Sequence, residues 1–92
     1  MNDLTFEALS TAWSRTDSEG LTRVIDTDSF RTSFVMVAKI GRVAEDLKYY
    51  PELVMSNDTV IIKIDDSDEA KALQLARLLD ELLDETVQKA NH

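Results

Sequence analysis

The feature that most constrains this chain is a long helical pattern that stops just before its only proline. Apolar residues recur with helical spacing across residues 30–47, and residues 27–29 are Thr-Asp-Ser, all favourable N-cap residues. Pro51 cannot continue a helix, and it biases the preceding Tyr50 towards an extended conformation. The sequence therefore predicts one long helix that gives way to a strand at Tyr49 and Tyr50. The apolar positions of the predicted helix are Phe30, Phe34, Val37, Ile40, Gly41, Ala44 and Leu47.

Three strands are predicted around this helix. Residues 21–25 are suited to a strand because they include β-branched side chains, and that strand is expected to end at Asp26. Residues 52–55 and 59–64 flank a Ser-Asn-Asp turn, so they predict a hairpin whose second arm carries the strongest strand signal in the chain. Period-2 alternation along that arm places three residues on one face of the sheet, namely Val60, Ile62 and Ile64.

Helices are predicted at both ends of the chain. Residues 4–13 have a loose helical spacing that is too short to stand alone, so Phe6 and Trp13 are expected to anchor this segment in the core. Residues 14–20 are polar and predict a turn. A final helix is predicted over roughly residues 70–88, and its apolar stripe is wide enough to serve two surfaces. The stripe comprises Ala72, Leu73, Leu75, Ala76, Leu78, Leu79, Leu82, Leu83 and Val87.

The order helix, strand, long helix, strand, strand, helix specifies an α+β fold with helices covering one face of an antiparallel sheet. At 92 residues, the chain is expected to form one domain, residues 1–92, with a modest core. Its net charge of −8 repels phosphate backbones and anionic bilayers, so no direct nucleic-acid or membrane partner is expected. No signal-peptide pattern, membrane-spanning segment or cysteine is present in the sequence, which suits a cytoplasmic protein.

Residues 45–52 read Glu-Asp-Leu-Lys-Tyr-Tyr-Pro-Glu. They resemble the catalytic segment of the pterin-4a-carbinolamine dehydratase family, which reads Glu-x-x-x-His-His-Pro-Glu, and the resemblance extends over about residues 13–83. It implies an antiparallel sheet of about four strands with helices packed on one face, and a homo-dimer or homo-tetramer formed through sheet edges and helices. The matching positions are Phe30, Ala44, Glu45, Leu47, Pro51, Glu52, Val60 and the Leu75-Ala76 pair.

The resemblance implies that the active site has lost its chemistry. The family's histidines fall at Tyr49, Tyr50 and Ser67, and Asp68 matches the acidic position beside the last of them. Dehydration of a carbinolamine needs groups that exchange protons near neutral pH, whereas tyrosine as a residue type has a reference pKa of about 10. We therefore expect no catalysis and no cofactor. The vestigial active-site positions are Glu45, Tyr49, Tyr50, Pro51, Ser67 and Asp68.

Two groups of residues admit alternative interpretations. Four acidic residues, Asp65, Asp66, Asp68 and Glu69, suit either a metal cluster or a helix cap. Capping is favoured because they lack the glycine and ligand spacing of a calcium loop. No metal is expected. For Tyr49 and Tyr50, either one ring packs over the helix end while the other is half exposed, or both join Lys48 and Glu52 in a surface that binds a partner protein.

The function implied by the resemblance is that of an assembly factor or chaperone for a multisubunit enzyme. The sharpest candidate is Rubisco of the α-carboxysome, which would make the protein a carboxysome-associated member of the carbon-fixation machinery. Two alternatives stay open. One is a divergent dehydratase that uses Glu45, with a tyrosine as a further candidate, in place of the histidines. The other is a cofactor that stabilises transcription-factor dimers.

Overall fold

A four-stranded antiparallel sheet carries both long helices on one face. The computed structural model describes residues 5–16 and 20–90, with side chains described up to residue 83. Its strands pair in the order β1-β2-β4-β3, and each pair is antiparallel. The predicted α+β class is therefore confirmed. In chain order the elements are a 3₁₀ turn (Phe6–Ala8), β1 (Ser14–Thr16), β2 (Gly20–Asp26), α1 (Phe30–Leu47), β3 (Glu52–Met55), β4 (Thr59–Ile64) and α2 (Glu69–Ala90).

The central strand β4 contributes three side chains to the hydrophobic core. Val60, Ile62 and Ile64 are fully buried, as the alternation predicts. In the register of β2 with β4, Leu21 lies opposite Ile64 and Arg23 lies opposite Ile62. Residues directly opposite each other point to the same face of a sheet, so Arg23 belongs to the core side.

Ser29 is the N-cap of helix α1. Its hydroxyl accepts a hydrogen bond from the Thr32 N–H at 3.2 Å. The predicted boundaries are confirmed, but the buried side differs from the predicted pattern at the first two turns. Phe30 and Phe34 are 57% and 59% exposed. Ser33 is buried in their place, because its hydroxyl is hydrogen-bonded to the hydroxyl of Thr27. The buried residues of α1 are Ser33, Met36, Ile40 and Ala44.

Helix α2 lies along the core as its leucine stripe predicts. Asp68 caps it, since the carboxylate accepts a hydrogen bond from the Lys71 N–H at 3.2 Å. Leu78 and Leu82 are only partly buried, so the stripe does extend beyond the core, while Val87 lies outside the described side chains. Within the described ranges, neither helix is sufficiently apolar along its length to cross a membrane. The buried members of the stripe are Ala72, Leu73, Leu75, Ala76, Leu79 and Leu83.

The prediction for the N-terminal segment is wrong in its secondary structure and right in its anchors. Instead of a helix over residues 4–13, a single 3₁₀ turn is followed by β1, which lies in the segment predicted as a turn. The Ser10 N–H and the Trp13 indole N–H both donate to the Asp80 carboxylate of α2, at 2.8 and 2.7 Å. These bonds fasten the segment, which turns at residues 10–13, to the helix. Trp13 is 4% exposed, and Phe6 packs against the core.

Candidate functional site

The C-terminal end of α1 is closed by a left-handed turn at Lys48, with φ 62° and ψ 37°. The Lys48 N–H donates to the Glu45 carbonyl at 3.3 Å, and the Tyr49 N–H donates to the Ala44 carbonyl at 3.2 Å. This pair of bonds is the Schellman motif, in which glycine usually occupies the left-handed position. A lysine there costs on the order of 1 kcal/mol, and the turn sends the two tyrosines in different directions.

Tyr49 turns inward and connects two elements of the fold. Its ring is partly buried against the core. Its hydroxyl donates to the Asp65 carbonyl at 2.6 Å and accepts from the Asp68 N–H at 3.4 Å. The end of α1 is thereby joined to the turn between β4 and α2. This turn contains Ser67, the position to which the resemblance assigns one of the family's histidines.

Tyr50 turns outward and is 59% exposed. Its hydroxyl lies 3.5 Å from a Glu45 carboxylate oxygen, which also accepts a hydrogen bond from the Lys48 ammonium at 3.0 Å. Glu52 begins β3 as an exposed residue, directly opposite Lys63 of β4. One ring of the pair is therefore packed and the other exposed, and the binding of a partner protein by this surface stays a prediction.

Two of the remaining predicted positions, Ser67 and Asp68, lie in the turn between β4 and α2. The Ser67 hydroxyl donates to the Asp65 carboxylate at 2.8 Å, and Asp68 is engaged in capping α2. Pro51 is half buried between the tyrosines and β3. Across the described residues, no three or more carboxylates or imidazoles are grouped closely enough to hold a metal ion.

Five of the six positions predicted to be vestigial therefore fall into two adjoining clusters, and Pro51 lies between Tyr50 and β3. One cluster contains Tyr49, Ser67 and Asp68. The Tyr49 hydroxyl bonds to the backbone of Asp65 and Asp68, and the Ser67 hydroxyl bonds to the Asp65 carboxylate, all within the β4–α2 turn. The other is the exposed group of Glu45, Lys48 and Tyr50. In the first cluster, the side chains already form hydrogen bonds with groups of the turn and of α2. The second offers a carboxylate, an ammonium and an aromatic ring to the solvent.

The profile of the pterin 4 alpha carbinolamine dehydratase family matches residues 2–82. The chain belongs to this family. A crystal structure described as a transcriptional coactivator/pterin dehydratase from Brucella melitensis is similar to this dehydratase-like fold, with a TM-score of 0.69, 24% sequence identity, and coverage of 82% of this chain and 84% of that one. No curated protein matches the sequence.

Sequence reasoning missed a further polar cluster in this dehydratase-like domain, which lies outside the candidate site. Asp80 of α2 accepts hydrogen bonds from Trp13 and, at 2.6 Å, from the Arg23 guanidinium of β2. Both charged side chains are nearly buried, at 14% exposure for Arg23 and 13% for Asp80. The signal was available, because each charged residue occupies an inward position of an otherwise apolar pattern.

Proposed function

We propose that this member of the family is a non-catalytic protein that assists the assembly of a multisubunit enzyme. Tyr49 carries the proposal. Where the family has an imidazole, this chain has a phenol whose hydroxyl is bonded to the backbone of the β4–α2 turn at 2.6 Å. A group held in that way satisfies its own hydrogen bonds, so it is a structural tie rather than a free acid or base.

The remaining groups at the site do not replace the missing imidazoles. Glu45 is 61% exposed and already paired with Lys48, and the Ser67 hydroxyl is bonded to Asp65. Loss of catalysis is therefore the simpler proposal for this constellation.

The proposed partner surface is the exposed cluster beside the old active site. Tyr50 is exposed and contacts Glu45, which is paired with Lys48, and the exposed Glu52 follows two residues later in the chain. An exposed tyrosine with a polar rim has the composition of an interface hot spot. We propose Rubisco of the α-carboxysome as the client, with the protein acting as a homo-dimer or homo-tetramer in the cytoplasm and on assembling carboxysomes.

Catalysis is tested directly with a 4a-hydroxytetrahydropterin carbinolamine, whose dehydration is followed by absorbance. We expect the wild-type protein and Glu45→Gln to leave the spontaneous rate unchanged. Acceleration by the wild type that Glu45→Gln abolishes would overturn the proposal and favour a divergent dehydratase. Tyr49→His/Tyr50→His/Ser67→His provides the matched comparison, because it restores the family's three imidazoles.

The assembly role is tested by co-expressing the large and small subunits of an α-carboxysomal Rubisco with this protein. We expect the wild type to raise the yield of assembled enzyme, measured by native electrophoresis and carboxylation. Tyr50→Ala should reduce that gain, while the control Arg77→Ala, an exposed position of α2, should not. A yield that is the same with and without the protein contradicts the proposal.

The name of the Brucella melitensis protein supports one alternative, since that protein is described as a transcriptional coactivator. A chain of this fold could then stabilise a transcription-factor dimer and meet DNA only through that partner. Capture of tagged protein from its native host distinguishes the two functions. Rubisco subunits support the assembly role, and a transcription factor supports the coactivator role.

A further inference from the structure

This fold combines an arginine with an aromatic ring and a carboxylate at two places. In the buried instance, the Arg23 guanidinium lies over the Trp13 ring, 6.0 Å from its centroid, and donates to an Asp80 carboxylate oxygen at 2.6 Å. The Trp13 indole N–H donates to the same oxygen at 2.7 Å. One carboxylate oxygen is therefore shared by a cation and by the polar group of the ring over which that cation lies.

The exposed instance lies at the N-terminal end of α2. The Arg15 guanidinium lies over the Phe6 ring, 5.6 Å from its centroid, and forms an ion pair with Glu69. The side chains of Arg15 and Glu69 are both exposed, so the combination forms in contact with solvent as well as in the core. A guanidinium suits it because its planar face stacks on a ring while its N–H groups bond to a carboxylate.

Tyr50 and Glu45 form a third pair of aromatic ring and carboxylate, and this pair contains no arginine. The Tyr50 hydroxyl lies 3.5 Å from a Glu45 carboxylate oxygen, and the Lys48 ammonium donates to that same oxygen at 3.0 Å. Within residues 5–16 and 20–83, no guanidinium or ammonium lies over the Tyr50 ring. The carboxylate thus holds a lysine where the other two hold an arginine, and the exposed ring carries no cation.

Lys48 is held in a backbone conformation that favours glycine. It is the one residue other than glycine with a positive φ, 62°, among those that the structure describes. Glycine at this position would relieve the backbone strain. Inside the chain the lysine side chain gains an exposed ion pair, which water screens. A role of the ammonium group at the surface, rather than in folding, accounts for a lysine in this conformation.

We propose that Tyr50 and Glu45 bind an arginine side chain of a partner protein, and that Lys48 holds the place of this arginine until the partner binds. The guanidinium would stack on the Tyr50 ring and donate to the Glu45 carboxylate. This arrangement repeats the one that the fold itself builds around Arg15 and Arg23. The ammonium of Lys48 neutralises the carboxylate but has no planar face to stack on the ring, so an arginine can replace it.

The charge around this site favours a basic partner. The chain has a net charge of −8, and Asp46 and Glu52 are exposed neighbours of the site in the sequence. The overall field attracts any cation, lysine and arginine alike, so preference for arginine is what a built site adds. This inference rests on the proposed function for the presence of a partner at this surface, and it names the chemistry of that partner.

The test is an NMR titration of the full chain, labelled with ¹⁵N, with acetyl-Gly-Arg-Gly-amide and with its lysine counterpart. The two peptides carry the same charge, so the overall field does not distinguish them. We expect the arginine peptide to bind at least about threefold more tightly. Its side-chain protons should move upfield, because protons above an aromatic ring are shielded. Equal affinities, or no upfield movement, would overturn the proposal.

Variants locate the arginine site. Tyr50→Leu should abolish the upfield movement, whereas Tyr50→Phe, which keeps the ring, should preserve it. Glu45→Gln should weaken binding of the arginine peptide by at least about threefold. The matched control Glu81→Gln removes another exposed, paired carboxylate and should change affinity by less than about 1.5-fold. A Glu45→Gln affinity equal to that of the control contradicts the site, and the amide spectra verify that each variant is folded.

Lys48→Gly tests the place-holding role, because it removes the competing cation. We expect it to tighten binding of the arginine peptide by at least about twofold, and to raise the midpoint of thermal unfolding. Arg77→Gln is the matched control, since it removes an exposed cation from its pair with Glu81 and changes the net charge equally. Binding that Lys48→Gly weakens, or tightens no more than the control does, would overturn this role.

The peptide titration and the Rubisco co-expression separate the two proposals. Selective binding of the arginine peptide at Tyr50, with no gain in assembled Rubisco, supports the arginine site and contradicts the assembly role. A gain in assembled Rubisco without arginine selectivity supports the assembly role and overturns the arginine site.

Discussion

Two carboxylates in this protein have similar partners in opposite surroundings. Asp80 and Glu45 each lie beside one cation and one aromatic donor. The cation is Arg23 at 2.6 Å in the first cluster and Lys48 at 3.0 Å in the second. The Asp80 side chain is 13% exposed, while that of Glu45 is 61% exposed.

Burial decides what each cluster contributes. Water screens the exposed pair, so Glu45 and Lys48 contribute little to folding and are available to a partner. The buried pair can be broken only at a high cost, because a charge that loses its counterion inside the protein stays desolvated. Asp80 also joins the N-terminal segment to β2 and α2. Combined with the proposed function, this contrast predicts that the buried cluster contributes stability and the exposed cluster contributes recognition.

The largest expected effect is that of Asp80→Asn. This change keeps the shape of the side chain and removes its charge, leaving the Arg23 guanidinium buried without a counterion. We expect the free energy of unfolding to fall by about 3 to 5 kcal/mol, measured by urea denaturation. A loss below about 1 kcal/mol would show that the buried cluster behaves like the exposed one.

The double variant Arg23→Met/Asp80→Asn is the control for this interpretation. The Arg23 Nε is already buried without a hydrogen-bond partner among the described residues, so removal of the cation also removes an unsatisfied group. We expect the double variant to be more stable than Asp80→Asn alone. If the stability loss of the double variant equalled the sum of the losses of Arg23→Met and Asp80→Asn, the ion-pair explanation would be contradicted.

Sequence reasoning predicted the fold well where local signals agree with the tertiary structure. The strand over residues 59–64 and the helix over residues 30–47 have the predicted boundaries, because alternation, capping and Pro51 all act within a few residues. It failed for the N-terminal segment, whose irregular form depends on bonds from Ser10 and Trp13 to Asp80, which lies 70 and 67 residues later in the chain. Periodicity does not report such a contact.

The candidate site was predictable in its position and not in its detail. The resemblance identified residues 45–52, but the opposite directions of Tyr49 and Tyr50 follow from the left-handed Lys48, which is a position that usually selects glycine. The apolar pattern also did not predict which side of α1 is buried in its first two turns. Phe34 and Ser33 are neighbours on one helix, and the serine that bonds to Thr27 is buried while the phenylalanine is exposed.

A smaller effect is expected from Tyr49→Phe. The hydroxyl that is lost bonds to the Asp65 carbonyl and to the Asp68 N–H. We expect the free energy of unfolding to fall by about 1 kcal/mol, the usual net value of a hydrogen bond within a protein. Tyr50→Phe is the matched control, since its hydroxyl is exposed and makes one long contact of 3.5 Å. Equal losses in the two variants would mean that Tyr49 does not tie α1 to the β4–α2 turn.

The smallest expected effect on stability is that of Glu45→Gln, and it sharpens the comparison from the exposed side. The change removes one charge from a pair that water already screens, so the free energy of unfolding should shift by less than about 0.5 kcal/mol. If the cluster is the proposed partner surface, the same variant should reduce the yield of assembled Rubisco on co-expression, since a carboxylate that contributes nothing to folding is free to contribute to binding. A stability loss comparable to that of Asp80→Asn would mean that burial does not separate the two clusters, and an unchanged yield would remove Glu45 from the partner surface while leaving Tyr50 in place.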